Sequence, residues 1–536
     1  MKKKKFTAAV HLLLLALVGF IPTNQAITTH LLPLPTISRA IAGIDHPSHG
    51  KKNHCRISPY PDPIAFQQPD GRSFSAFLLT EGPSAYLETL DGYTILLDPT
   101  DGYYRYATRG SKGDLALTGV AVSAIAERIP TEILLLTQIL RPHLRYEGAR
   151  LQELVANDQQ KDLTLPVVTG SIFPPAGNQR ALLLLIDFPD QPFTYTTADF
   201  NNLANQAGYN VNGNSGSFKD YYRDISYGLL VIDTDVSGWY RAANNQSTYG
   251  IEDLANRNFS NAIPLVREAV DAAEAAGVDF SQYDGDGDGR VDVVEIIHSG
   301  RGAEESGNVA DIWSHRWALS SAGLQVTYDG KQVNDYIMQA EKLGATNIAN
   351  IGVLVHEFGH ALGLPDLYDT DGSSSGLGRW CCMAGGTWNN NGRTPAQFSA
   401  WCKAQLGWTT PTVLEGTGNI TGLNFSDASD EVYRINTPDP DEYFLLENRQ
   451  KTGWDTNIPG AGLVIYHIDE SQNSNANENR PLVDLEQADG NSNNSGDTGD
   501  LFPGSTGNTS FSCATVPNSN TYSNFSPTSM CPTLLQ

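Results

Sequence analysis

Apolar residues in the middle of the chain follow two periods, and the change between them predicts an α/β domain. Arg180–Phe188 is an almost continuous apolar run and Val291–Ile297 is a second, both typical of strands buried on two faces. Between them, Asn261–Ala276 repeats its apolar residues with helical spacing, which predicts an amphipathic helix. Asn350–His356 is apolar enough to be a buried helix. We therefore expect an α/β (α+β) arrangement in which the sheet packs against this last helix.

A different pattern precedes this domain, from about residue 27 to residue 165. Short strand-like runs with Asp-Gly turns between them occur at Phe74–Leu79, Tyr93–Leu97 and Tyr103–Ala107. Thr131–Asn157 then carries an interrupted apolar face and predicts a helix. Leu163–Gln179, with three prolines, predicts an exposed linker. We expect residues 27–165 to form a separate, mixed β/α region.

The chain after Trp408 alternates between short apolar runs and residues that favour turns. Three of these runs predict strands: Glu431–Ile435, Tyr443–Glu447 and Gly462–His467. We expect a β-rich C-terminal subdomain at 411–536 that continues the domain at 166–410.

Residues 1–26 have the pattern of a secretory signal peptide. Lys2–Lys5 form a basic start, Phe6–Phe20 form an apolar core interrupted at Thr7 and His11, and Ala26 is a candidate cleavage residue. The alternative is an uncleaved anchor, for which this apolar core is short. No other segment is long and apolar enough to cross a membrane, so we expect a secreted, extracellular protein.

The net charge of the chain limits the classes of binding partner that we expect. Its formal net charge is −25, which argues against a general nucleic-acid or anionic-membrane binder and favours solubility and cation binding. A length of 536 residues allows two to four domains.

One short segment, His356–Asp366, predicts a metal site. His356 and His360 lie four residues apart, so a helix presents both imidazoles on one face. Glu357 is placed to act as general base towards water bound at the metal. Gly363 can adopt a positive φ and turn the chain back, so that Asp366 supplies the third ligand of a zinc ion. The alternative is a chance pattern on an ordinary core helix.

The HExxHxxGxxD pattern resembles metzincin-like peptidases with aspartate as third ligand. The surrounding sequence resembles the M6 family of immune inhibitor A-type secreted metallopeptidases. The resemblance spans roughly residues 180 to 505 and rests on these further segments: Gly216–Tyr222, Asp311–Trp317, Leu364–Asp369, Met383–Trp388, Ala400–Trp408, Tyr443–Arg449 and Leu501–Gly504. It implies a metzincin-like zincin domain, in a zinc endopeptidase that is made as a zymogen and often binds calcium.

The same resemblance assigns roles outside the zinc helix. It implies that residues 27–165 are a propeptide, although these residues are equally consistent with a substrate-binding accessory domain. It also implies that Met383 forms an apolar floor beneath the metal. The alternative is a core methionine unrelated to zinc.

An acidic loop between the predicted helix and the second predicted strand matches a twelve-residue calcium loop, with Gly289 at the sharp turn. Its predicted ligands are Asp284, Asp286, Asp288, the carbonyl of Arg290, Asp292 and Glu295. Glu295 falls in a valine-rich strand rather than in an exit helix, which makes this position unlike an EF-hand. We interpret the loop as a structural calcium site; the alternative is an acidic turn in solvent.

The six cysteines suit disulfides in a secreted protein. Local pairs are Cys513 with Cys531, and Cys402 with Cys381 or Cys382. Cys55 raises a separate hypothesis, in which its thiolate binds zinc and keeps the zymogen inactive. Its alternatives are a disulfide that tethers the propeptide and an idle thiol.

These predictions combine into one function and two rivals. We expect a secreted, monomeric zinc endopeptidase that acts on protein or peptide substrates and is stabilised by calcium. A catalytically inactive, calcium-binding adhesin is one rival, although it would have no need of Glu357. A zinc hydrolase that cleaves a bond other than a peptide bond is the second.

Overall fold

The structure is a computed structural model, and it describes residues 59–81, 84–154, 172–251, 259–370, 374–414, 422–491, 496–522 and 534–535. The predicted signal peptide, Cys55 and Cys531 lie outside these residues. No helix in the described ranges is both long and apolar enough to span a membrane.

The first described region is a six-stranded antiparallel sheet in which each strand pairs with the next. Its strands are β1 (Ile64–Gln67), β2 (Ser73–Glu81), β3 (Ser84–Thr89), β4 (Thr94–Leu97), β5 (Tyr104–Arg109) and β6 (Leu115–Ala121). Gly71, Gly92 and Gly102 have positive φ, as tight turns after aspartate require. The three strands predicted here are confirmed.

The continuous helix predicted at Thr131–Asn157 is wrong. Helix α1 (Pro130–Gln138) ends early, and helical backbone resumes only at 148–154. Pro142 has no N–H and disfavours helical backbone in the residue before it. His143 then adopts a φ of 56° and donates its backbone N–H to the Gly92 carbonyl at 2.8 Å. The chain therefore folds back onto the sheet.

The central region is a mixed α/β layer, as predicted. Its sheet has the order β10-β13-β9-β7-β8, with β10 antiparallel and the others parallel, and β14 pairs with β13. The strands are β7 (Gly177–Asp187), β8 (Leu230–Arg241), β9 (Val294–Arg301), β10 (His315–Ala318), β13 (Asp335–Leu343) and β14 (Asn347–Ile348), while β11 (Val326–Tyr328) and β12 (Lys331–Val333) form a separate hairpin. The helices are α2 (Thr197–Asn205), α3 (Phe218–Ile225), α4 (Ile263–Ala275), α5 (Ala303–Ser306) and α6 (Ile351–Ala361).

Strand β7 explains why its sequence is apolar without alternation. Leu182 and Leu184 face a core shared with α4, whereas Leu183 and Leu185 face a second core shared with α3 and α6. Both faces of the strand are buried, so every position selects an apolar residue. The predicted packing of the sheet against the helix at Asn350–His356 is confirmed.

The C-terminal region is β-rich, as predicted. It contains a five-stranded sheet, β15 (Thr412–Val413), β16 (Tyr433–Asn436), β17 (Glu442–Arg449), β18 (Gly462–Asp469) and β19 (Val483–Leu485), and a short pair, β20 (Ser510–Phe511) and β21 (Leu534–Leu535). Helix α7 (Ala400–Gln405) links it to the central region. Trp401 of α7 packs in the same core as Tyr443 and Leu445 of β17.

The first sheet packs against the central region close to α6. Phe66, Phe74 and Leu87 share a core with Trp313 and Trp388 of the central region, and Val353 of α6 packs against this core. Just before β1, the Tyr60 ring meets the Trp388 ring edge to face at 5.3 Å. The packing against Val353 places the N-terminal region one helical turn along α6 from Glu357.

Pairing of Cys402 with Cys381 or Cys382 is wrong. All three are free, buried thiols. The thiols of Cys381 and Cys402 accept hydrogen bonds from Ser399, through its N–H at 3.4 Å and its hydroxyl at 3.3 Å. They serve as core hydrogen-bond partners at the start of α7. Cys513 is disulfide-bonded, and its predicted partner Cys531 lies outside the described residues.

Candidate metal centre and active site

Helix α6 carries the site, and both of its ends are held by specific contacts. At its start, the N–H of Ile351 donates to the Asn214 side chain at 3.3 Å, and the N–H of Gly352 donates to the Gly392 carbonyl at 2.9 Å. At its end, Gly363 has a φ of 92°, and the Leu364 N–H donates to the Gly359 carbonyl at 3.1 Å. This left-handed turn reverses the chain, as predicted for Gly363.

The reversal brings Asp366 to the two histidines. Its Oδ1 lies 3.2 Å from Nε2 of His356 and 3.3 Å from Nε2 of His360. One donor atom from each residue lies within 4.8 Å of the others, and all three residues are buried. The structure therefore brings together the three residues predicted to bind zinc.

Backbone carbonyls orient both imidazoles. Nδ1 of His356 lies 2.8 Å from the Cys382 carbonyl, and Nδ1 of His360 lies 2.8 Å from the Leu364 carbonyl. A carbonyl only accepts, so Nδ1 carries a hydrogen in both residues and Nε2 is the nitrogen left to bind a metal. In both residues this nitrogen faces Asp366.

The remaining chemistry of the cluster also fits a metal ion. Oδ2 of Asp366 is buried and has no hydrogen-bond partner within the described residues, which leaves an acceptor for a cation. Burial raises the pKa of Asp366, but His360 and His356 lower it more, so the net shift is downward and favours the carboxylate. Two imidazole nitrogens and one carboxylate oxygen are a zinc donor set. Glu357 is fully buried beside His356.

Met383 packs against the metal-binding helix. A Cβ added at Gly359, the residue before His360, would collide with the Met383 sulfur. The carbonyl of Met383 accepts the N–H of Leu367, next to Asp366, at 2.7 Å. Met383 thus supports both the helix and the turn that carries the third donor.

Residues 176–409 match the family model described as "Immune inhibitor A peptidase M6, catalytic domain". This matched segment, which is less than half of the chain, is similar to the catalytic domain of M6 peptidases. All four residues of the candidate site, His356, Glu357, His360 and Asp366, lie inside the matched M6 segment.

Curated relatives carry names that agree with this family. Immune inhibitor A of Bacillus thuringiensis subsp. alesti is 32% identical over 319 residues, which is 51% of this chain and 44% of that protein. Pre-pro-metalloprotease PrtV of Vibrio cholerae serotype O1 (strain M66-2) is 33% identical over 278 residues, 42% of this chain and 29% of that protein. The chain spans less than half the length of these relatives.

Sequence reasoning missed the residues that hold the candidate site from outside the motif. The Tyr222 hydroxyl donates to the Val355 carbonyl at 2.6 Å, just before His356, and the Thr387 hydroxyl donates to the Gly352 carbonyl at 2.7 Å. Both residues lie in segments that resemble the family, but nothing in the local sequence indicates which carbonyl each one contacts.

The acidic loop before β9 brings together three of its predicted ligands. Oxygens of Asp284, Asp286 and Asp292 lie within 4.8 Å of one another. Oδ1 of Asp284 is buried with no hydrogen-bond partner in the described part of the chain, while Oδ2 pairs with Lys331. Burial is the main reason that the pKa of Asp292 rises to about 7, and the charges of Asp286, Asp284 and Asp288 raise it further.

Two other predicted carboxylate ligands of this loop, Asp288 and Glu295, are not in the group. Asp288 accepts the N–H of Arg290 at 2.8 Å and is exposed. Glu295 lies in β9 opposite Leu183 and Ile337, and it is 1% exposed. Its placement as the twelfth-position ligand is corrected, because side chains alternate along a strand and Glu295 faces the core that contains α3 and α6.

Proposed function

We propose that this chain is a secreted zinc endopeptidase that hydrolyses peptide bonds in protein substrates. The observation that carries this proposal is the convergence of His356, His360 and Asp366 beside Glu357. His356, His360 and Asp366 would hold a zinc ion, which would supply a Lewis acid for the hydrolysis of the scissile carbonyl. The name of PrtV, a metalloprotease, supports the same chemistry.

Glu357 is the proposed general base. It accepts a proton from the attacking water as the water oxygen bonds to the carbonyl carbon, and it delivers that proton to the amine nitrogen as the C–N bond breaks. The polypeptide orients this chemistry through the backbone carbonyls that hold the two imidazoles, and through Met383 beneath α6.

The N-terminal region is the proposed propeptide of a zymogen. In support, its sheet shares a core with Trp388 and packs against Val353, one helical turn before Glu357. Removal after cleavage in the predicted linker, before Phe173, which is buried in the central core, would expose this face of the domain. N-terminal sequencing of the secreted protein tests the signal peptide and this cleavage together.

Calcium is the proposed ligand of Asp284, Asp286 and Asp292. Hard carboxylate oxygens suit this ion, and a divalent cation would satisfy Oδ1 of Asp284. Lys331 neutralises part of the charge, and the proposed role is to stabilise the start of β9 rather than to sense calcium.

The decisive experiment measures protein cleavage and bound metal in the same samples. We expect one zinc per chain, loss of cleavage with a chelator, and recovery with added zinc. Glu357→Gln should keep the zinc and lose cleavage by roughly a thousandfold, since general base catalysis contributes on the order of 10² to 10⁴. Glu274→Gln, on α4, is the matched control.

Each rival function predicts a different result. Persistent cleavage by Glu357→Gln would refute the proposed mechanism. Binding of protein without turnover in the wild type would favour the adhesin. Turnover of small esters without any cleavage of proteins would favour a hydrolase of another bond.

A further inference from the structure

A cavity of about 400 Å³ lies in the C-terminal region, apart from the metal centre. One wall is the end of α7 and the segment after it, with Gln405 and Pro411. The other wall is the edge half of the five-stranded sheet. The volume falls in the range of small-molecule and peptide sites.

Strand register places one set of side chains on the cavity face of the sheet. Val413 of β15 pairs with Arg434 of β16, and Arg434 pairs with Leu445 of β17. Two residues further along, Asn436 pairs with Tyr443. Directly paired residues point to the same side of a sheet, as do residues two apart on one strand. All five line the cavity.

Arg434 is the only one of these five that carries a charge, and its guanidinium is held in a fixed plane. Its central carbon lies 3.5 Å from the centroid of the Tyr443 ring, and its Nε donates to Oδ1 of Asn436 at 2.7 Å. Within the described residues, Arg434 forms no ion pair and neither Nη atom makes a hydrogen bond. In a chain of net charge −25, this cation presents two open N–H edges to the cavity.

Glu470, which follows β18 and also lines the cavity, holds the Tyr443 ring. Oε1 of Glu470 accepts the Tyr443 hydroxyl at 2.8 Å and the Gln405 amide at 3.1 Å. These bonds fix the ring beneath Arg434 and give Oε1 donors other than Arg434. The apolar part of the cavity wall consists of Ala404, Pro411, Val413 and Leu445, and Val413 is 43% exposed despite its aliphatic side chain.

We propose that this cavity binds the carboxylate end of a short peptide whose last side chain is apolar. A planar guanidinium with both Nη atoms open matches a carboxylate through two parallel hydrogen bonds. Pro411, Val413 and Leu445 supply the surface for the neighbouring side chain. This site does not depend on the proposed peptidase function, because binding there needs neither the metal nor Glu357.

The test is calorimetric titration of the full chain with N-acetyl-Leu-Leu, which has a free carboxylate. A chelator is present throughout, so that metal at His356, His360 and Asp366 cannot hold the probe. We expect saturable binding that weakens about tenfold or more in Arg434→Met, since charge-assisted hydrogen bonds are lost. The carboxamide form of the same peptide should bind the wild type about tenfold or more weakly than the free carboxylate does, as in Arg434→Met.

Two further variants separate this site from general effects. Arg434→Lys keeps the charge without the planar fork and should bind between wild type and Arg434→Met. Val413→Asp places a negative charge on the apolar wall and should also weaken binding. Arg150→Gln, in the N-terminal region, is the control and should leave it unchanged. Absence of saturable binding, or equal affinity of wild type and a folded Arg434→Met variant, would overturn the proposal.

Discussion

Replacing Glu295 by glutamine should stabilise the protein more as the pH rises. Glu295 lies in β9 near the middle of the central sheet and is 1% exposed. Neither carboxylate oxygen has a hydrogen-bond partner within the described residues. Burial raises the pKa of Glu295 from its ordinary 4.5 to about 8.

The sign follows from where each state holds its proton. The unfolded chain releases this proton near pH 4.5, whereas the folded chain keeps it until about pH 8. The contribution of Glu295 to the free energy of unfolding is therefore largest below pH 4.5 and is lost as the pH rises towards 8. One pKa unit corresponds to about 1.4 kcal/mol, so the loss between pH 5 and pH 8 is about 3 to 4 kcal/mol.

Glutamine has nearly the same shape and does not titrate. The free energy of unfolding of Glu295→Gln, minus that of the wild type, should therefore grow by about 3 kcal/mol from pH 5 to pH 8. Urea unfolding at several pH values measures this difference, provided that fluorescence and circular dichroism transitions coincide. Glu274→Gln, on the partly exposed face of α4, is the matched control for the substitution itself.

The same variant decides whether Glu295 binds calcium. In the structure it lies apart from the group of Asp284, Asp286 and Asp292, so the rise in Tm caused by calcium should survive in Glu295→Gln and disappear in Asp284→Asn. A flat pH dependence of the Glu295→Gln difference would refute the argument from burial. Loss of the calcium response in that variant would restore the ligand role that the loop spacing predicts.

Two other substitutions test the packing around the site and the C-terminal sheet. Gly359→Ala should lower both Tm and zinc affinity, because its methyl group collides with the Met383 sulfur and overpacking costs about 1 to 3 kcal/mol. Gly119→Ala is the control, since Gly119 faces open space and this variant should change neither quantity. Equal zinc affinity in the two variants would contradict this reasoning. The Arg449 guanidinium donates to the Asp455 carboxylate at 2.5 and 2.6 Å. Arg449→Met leaves that carboxylate buried without this partner, so it should lower the free energy of unfolding, measured in urea, by about 3 to 5 kcal/mol. An unchanged urea midpoint would show that this ion pair does not hold the sheet in place.

The strands that the sequence predicts are those whose burial follows from local composition. β7 is apolar at every buried position because both of its faces meet a core. β13 was not predicted, because it carries Gln339 and Glu341 at buried positions. Glu341 accepts backbone N–H groups of Thr194, Tyr195 and Gly300, which are remote in sequence. The local sequence does not contain these partners. In sequence, β13 therefore resembles a polar segment rather than a buried strand.

The zinc-site and calcium-site predictions differ in outcome because one depends on local structure and the other depends partly on a strand that is remote in sequence. His356, His360 and Asp366 are brought together by one helix and one glycine turn, and both are local consequences of sequence. The calcium-loop spacing is also local up to Asp292. Two residues later β9 begins, and its pairing with β7 fixes the face on which Glu295 lies. A ligand whose direction is set by a strand more than a hundred residues away cannot be inferred from loop spacing, and a carboxylate turned into the core acquires a raised pKa instead of a cation.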